Sequence, residues 1–201
     1  MQFLATLIPL LACALLVTLP LLKLTERVVV SFPGRSVLLM LTIALSLVNF
    51  SQFTIGGYLR GIVADLSLTT TVMLMAGCYA GLVGHAVVSK TERVVAGSLL
   101  VGGGLILYPM SLGFSSFDPY QWGYYPALLG ALLSALLLIA LYKEFLLIVT
   151  CLLAGLLAYS YGLLDSNNLW DYLIDPLAFI YGVSILLRHL ARQISQRATL
   201  D

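Results

Sequence analysis

Charge is the scarcest feature of this chain. Only 9% of its 201 residues are Asp, Glu, Lys or Arg, against 61% that are hydrophobic. Soluble domains typically carry about 25% charged and about 45–50% apolar residues, so the charges here are too few to cover a surface facing water. The composition predicts a polypeptide solvated by hydrocarbon, where every backbone amide needs an internal partner and only helices or a closed barrel survive. The apolar–polar alternation of barrel strands is missing too. The runs Phe3 to Leu22 and Pro126 to Tyr142 are unbroken, which excludes a barrel and leaves an all-α integral membrane protein.

Other absences narrow the function. No basic patch exists, so the electrostatic footprint of a nucleic-acid binder is lacking. Cysteine is sparse: Cys13, Cys78 and Cys151 each fall inside an apolar run. Their spacings fit neither a disulfide framework nor a zinc site. They read as small core residues, and neither a metal nor another cofactor is expected. His85 and His189 have no Glu-x-x-His partner, and no Gly-x-Ser-x-Gly elbow occurs, so no catalytic residue is assigned. His85 reads as a packed or snorkelling side chain. Apart from Asp65, and His85 near an end, the apolar runs carry no mid-membrane charge, which argues against proton-coupled transporters and pumps. Met1-Gln2 supplies no basic flank for a signal peptide, and Leu10 to Cys13 lacks the basic flank of a lipoprotein signal. The first run is therefore read as a retained membrane helix. Without repeats or linkers, residues 1–201 form a single domain.

What the chain does have is long apolar runs. Seven of them, 3–22, 36–55, 65–88, 94–113, 125–142, 145–163 and 174–190, approach the ~20 residues that a span requires. They predict a bundle of seven transmembrane helices. The weakest cuts are Gly56–Asp65 and Lys143-Glu144, so six spans plus a re-entrant piece is the alternative. Orientation follows from Lys and Arg, which favour cytoplasmic loops. With the Arg188 to Arg192 tail inside, all ten basic residues except Arg60 fall on the cytoplasmic side. The expected topology is N-out and C-in. The expected location is a bacterial inner membrane.

The outer face collects the unusual chemistry. Asp65, Asp118, Asp165, Asp171 and Asp175 fall there, and the loops 114–124 and 164–173 are rich in Phe, Tyr and Trp. Such rings favour the headgroup level. Asp175-Pro176 predicts an N-cap followed by a first-turn proline, and Asp118-Pro119 predicts a short interfacial helix. Gly57/Gly61, Gly77/Gly81 and Gly130/Ser134 have the small-xxx-small spacing of close helix packing, and Gly102 to Gly104 marks a narrow stretch.

Arg60 is the one outer cation. A guanidinium suits phosphate or carboxylate, and Asp65 either pairs with it or caps the next span. Asp65 and Thr69 share a helix face at a spacing of four. Were the chain helical through Asp171, Asp171 and Asp175 would share a face beside Trp170, so that two carboxylates could hold a cation or a proton. Caps and solvated loop acids are the plainer reading.

The stretch Arg60-Gly61-Ile62-Val63-Ala64-Asp65-Leu66-Ser67 resembles the Arg-x-Asp-Leu-Ser stretch in the membrane region of lipoteichoic acid synthase-type phosphoglycerol and phosphoethanolamine transferases. The resemblance covers roughly residues 40–85 and has a longer Arg-to-Asp gap. It implies a lipid-facing membrane module without the sulfatase-like catalytic domain of those enzymes. Together these readings predict a non-catalytic inner-membrane protein that binds membrane lipids or a partner protein at its periplasmic face, in cell-envelope assembly. Arg60, Asp65, Thr69, Trp170, Asp171 and Asp175 are its candidate residues. A small-solute transporter or channel and a lipid-modifying enzyme are the alternatives.

Overall fold

A computed structural model describes residues 2–28, 31–114 and 117–198. The described chain is mostly helical. Long helices form α1 (Gln2–Leu24), α2 (Phe32–Ser46), α4 (Leu68–Val83), α5 (Lys90–Ser111), α7 (Ala127–Tyr142), α8 (Leu146–Ser160) and α10 (Pro176–Ala198). Between them lie the short helices α3 (Ile55–Val63), α6 (Gln121–Tyr124) and α9 (Leu169–Leu173), and a two-strand hairpin of β1 (Asn49–Phe50) and β2 (Phe53–Thr54). The hairpin pairs Asn49 with Thr54 and Phe50 with Phe53. Two helices, Leu4–Leu24 and Lys90–Ser111, are long and apolar enough to cross a membrane. Helices α2, α4, α7 and α8 are apolar but shorter.

The predicted run 36–55 is divided. Helix α2 starts earlier, where the Ser31 hydroxyl accepts from the Gly34 amide, and it stops at Ser46. Asn49 and Ser51 then favour a turn over a helix, and Ser51 takes a positive φ of 61°. Thr54 restarts the helix as N-cap of α3, its hydroxyl accepting from the Gly57 amide at 3.0 Å. The run 65–88 is likewise trimmed at both ends. Ser67 caps α4 through the Thr70 amide, and Gly84 closes it in the left-handed conformation. In contrast, α10 outruns its apolar part and continues through Arg188, Arg192 and Arg197.

Packing is close where side chains are small. Helix α10 lies along α5 with Gly182 against the Gly97 carbonyl, where an added Cβ would approach to 3.0 Å. A Cβ on Gly104 would overlap the Phe179 ring of α10, one on Gly103 would meet Ile174 just before that helix, and Gly102 faces open space. Gly77 and Gly81 of α4 receive Leu19 and Leu22 of α1, while Gly61 and Gly130 face open space and Gly57 meets only the neighbouring Phe53 and Thr54. One buried core joins α7, α8 and α9 around Leu129, Leu133, Leu152 and Leu169. A second joins α1 and α4 around Leu15, Leu22, Leu74 and Cys78. All three cysteines are free and buried. The outward faces stay apolar: Leu105, Leu132, Leu138 and Ile139 are all exposed.

Candidate functional site

The six candidate residues gather toward one end of the bundle, but in separate bonding groups. The first group is built on α3. Arg60 occupies its last turn, where a cation complements the negative helix end. Ala64 then turns the chain with φ of 60°, which carries Asp65 back to the guanidinium. Arg60 Nε and Nη2 donate to the two Asp65 oxygens, the second at 2.9 Å. Nη2 also donates to Asp165 Oδ2 at 2.7 Å, and the Asp165 amide reaches Asp65 Oδ2 at 3.5 Å. The side chains of Arg60 and Asp65 are 27% and 18% exposed, and that of Asp165 is 87% exposed. The Arg60–Asp65 fork is therefore the sheltered interaction, and the Asp165 arm is in solvent and weak. The hydrogen bond to Asp65 raises the Arg60 pKa above its usual value against the opposing effect of burial, so the cation is permanent.

Asp175 forms the second group. It is buried, and each oxygen holds one backbone amide: Oδ1 accepts from Ala178 at 2.7 Å and Oδ2 from Ser67 at 2.7 Å. The predicted cap on α10 is present. The same carboxylate also grips Ser67, the N-cap of α4, so the starts of two long helices are fastened by one side chain.

The third group closes α6 onto α9. The Asn168 carboxamide oxygen accepts from the Trp170 amide at 2.9 Å, and its Nδ2 donates to the Tyr120 carbonyl at 3.0 Å. Trp170 Nε1 donates to the Pro119 carbonyl at 3.0 Å. Asp171 accepts from the Tyr120 hydroxyl at 2.9 Å and from the Ser166 hydroxyl. Gly123 lies directly beneath Asn168, and a Cβ there would overlap the carboxamide. Burial, and then donation to Asp171, push the Tyr120 phenol pKa well above its usual value.

The conditional pairing of Asp171 with Asp175 is corrected. Helix α9 ends at Leu173, and Ile174 is extended at φ −136° and ψ 126°. The helical spacing between the two acids is broken, and they bind different partners. Thr69 also stands apart. It is buried in the first turn of α4, with its carbonyl 4.0 Å from Cys151 Sγ in the core. Among the described residues it makes no hydrogen bond to Arg60 or Asp65. No group of three His, Cys, Asp or Glu able to hold a metal occurs among the described residues.

Sequence reasoning missed several participants. Asp165 stands in the sequence only as one of the outer acids, and neither Tyr120 nor Asn168 is singled out there, although Asn168 is the N-cap of α9. Glu92 was not singled out at all. It is buried, and its Oε1 accepts from the Leu147 amide at 2.6 Å and the Ile148 amide at 3.2 Å. It thereby caps α8, whose own N-cap position, Phe145, has no side-chain acceptor. The available signal was Ser89-Lys90-Thr91-Glu92, a helix-start pattern. Ser89 does cap α5 through the Glu92 amide at 3.1 Å, but the Glu92 side chain serves the neighbouring helix. At that same end Arg35 donates to the Gly81 carbonyl at 2.7 Å.

No protein-family model matches the chain, and no curated protein or solved structure is detectably similar to it.

Proposed function

We propose that this chain is a non-catalytic multi-pass protein of a bacterial inner membrane, whose periplasmic face docks a partner protein during cell-envelope assembly. In this reading the seven long helices cross the bilayer N-out and C-in. The charge asymmetry and the exposed leucines of α5 and α7 support it. The 15- and 16-residue helices reach only about 22–24 Å, short of the ~30 Å hydrocarbon core. Local bilayer thinning and snorkelling flanks accommodate such mismatch.

One observation carries the docking role: the outer acids and Trp170 are already bonded to fixed donors and acceptors of the chain itself. Asp171, Asp175 and Asp65 serve different partners. A paired-carboxylate mechanism needs its two carboxyls about 5–9.5 Å apart and turned toward one substrate, so the paired-carboxylate form of the lipid-modifying alternative loses support. What this arrangement offers is a stiff acidic and aromatic platform. Arg60 lies between two carboxylates, which disfavours an anionic lipid headgroup and favours a partner with a basic segment. The envelope context rests on the resemblance of residues 60–67 to the transferase membrane region.

Purification in mild detergent, with photo-crosslinkers placed at Phe117 and the exposed Tyr125, tests this reading. A defined membrane partner should be captured from the wild-type chain and lost with Asp165→Lys. Crosslinking that yields only lipid, or is unchanged by Asp165→Lys, would remove the proposal.

A further inference from the structure

A gap between α4 and α10 starts beside the acidic cap, at Thr70 and Ala178, and runs to the opposite end of the bundle, where it is open. Helix α10 follows α5 and barely touches α4, and the gap encloses a cavity of about 670 Å³, within the ~300–1,000 Å³ range of ligand sites. Its floor is apolar, including Leu19, Met73, Leu74, Leu177 and Ile185. It runs beside α4 from Thr70 to Gly84, about 21 Å at helical rise and longer than one ~15 Å leaflet of hydrocarbon. The exposed residues Ile180 and Tyr181 on its rim leave it open along its side. Lys23, Arg35, His85 and Arg93 border it, with Glu26 as the single acid. A second space of about 290 Å³ between α5, α7 and α8 has no charged residue in its lining and so no means of selecting a headgroup.

We infer that the larger cavity is a binding groove for an anionic phospholipid. An acyl chain lies on the leucines between α4 and α10, and the phosphate sits among Lys23, Arg35 and Arg93. The charge complementarity fixes the occupant. Three cations against one acid attract an anion, and an apolar slot of this length excludes a small polar ion from most of the site. Basic pockets between transmembrane helices on the cytoplasmic side are suited to acidic lipid headgroups. Arg35 is held at the mouth by its bond to the Gly81 carbonyl, so its position is set before a ligand arrives. The inference rests on the membrane-spanning reading with this end cytoplasmic, but not on the outer-face partner.

Native mass spectrometry of the full chain in mild detergent tests it, with phosphatidylglycerol, phosphatidylcholine and inorganic phosphate added in turn. Phosphatidylglycerol should bind at one-to-one stoichiometry and roughly tenfold more tightly than phosphatidylcholine. The Lys23→Gln/Arg93→Gln double variant should lose that preference. Arg93 also donates to the Val88 carbonyl at 3.4 Å, so an unchanged helical circular dichroism signal and thermal midpoint of the variant must accompany the loss to separate it from misfolding. Ser184→Phe, which fills the groove without altering charge, should reduce binding of both lipids. Equal binding of the two lipids would overturn the inference. So would full competition by inorganic phosphate, or unchanged selectivity in the double variant. Those results on a monodisperse, detergent-soluble chain would sink the groove and leave the membrane-spanning reading standing.

Discussion

The two ends of this bundle solve the same problem in opposite ways. At the acidic end, short helices and loops are fastened by Asp175, Asn168, Asp171 and the Arg60–Asp65 fork, and nearly every polar side chain described there has a partner within the chain. Toward the basic end, α4 and α10 separate around a cavity of about 670 Å³ that is bordered there by Lys23, Arg35 and Arg93. The difference teaches which polar groups the chain satisfies itself and which it leaves facing a cavity. A buried polar network is stable only when fully satisfied. The acidic end comes close to that condition within the chain, the buried Tyr108 hydroxyl beside Phe179 being its exception among the described residues, while the basic end leaves apolar walls and cations facing a cavity.

The sharpest way to break the contrast is to unfasten the acidic end. Asp175→Ala removes the acceptor for two backbone amides and a helix cap together. At about 1–3 kcal/mol for a buried donor left unpaired and ~1 kcal/mol for the cap, it should cost about 2–4 kcal/mol. Thermal unfolding in detergent, followed by circular dichroism, should show a large drop in Tm. A loss below about 1 kcal/mol would mean that the helix starts are not held together by this side chain.

Next in size is a matched pair of enlargements. Gly123→Ala adds one methyl where the Asn168 carboxamide already sits, and overpacking of that kind costs about 1–3 kcal/mol. Ser184→Phe adds a whole ring at the open end, where Ser184 borders the cavity. It should cost less than the single methyl at Gly123. Reversal of that order in the same unfolding assay would show that the acidic end is not the tighter of the two.

How much of this was readable beforehand depended on the range of the interaction. Each of the seven long helices overlaps one of the seven apolar runs, because hydropathy is a local property, although the bounds differ. The Asp175 cap was visible for the same reason, since Asp-Pro acts on its own helix. The division of 36–55 was less visible: Leu47, Val48, Phe50 and Phe53 are apolar enough to continue a helix, and only Asn49 and Ser51 argue for a turn. The bonds that join distant segments were illegible. Asp175 to Ser67, Tyr120 to Asp171 and Glu92 to Leu147 span 108, 51 and 55 residues, and nothing in either partner's own sequence surroundings announces the other. The open groove was equally hidden, because its mouth draws Lys23, Arg35, His85 and Arg93 from four separate stretches of chain.

The smallest expected effect is on pH, and it discriminates between the ends without a mutation. The Tyr120 phenol is raised above its ordinary pKa of about 10 by burial and by its bond to Asp171. Its stabilising contribution is therefore full below about pH 10 and is lost as pH rises through the folded-state value. The acidic end should keep its Trp170 environment from pH 6 to 9 and loosen only in strong alkali. Trp170 donates to Pro119, beside Tyr120, so tryptophan fluorescence reports that event, with Trp122→Phe isolating the signal. Tyr120→Phe deletes the titrating group and should flatten the alkaline transition at a modest cost of about 1 kcal/mol. An alkaline transition unchanged in Tyr120→Phe would show that some other group opens that end. A transition already under way at pH 8 would show that the Tyr120–Asp171 bond does not hold α6 to α9.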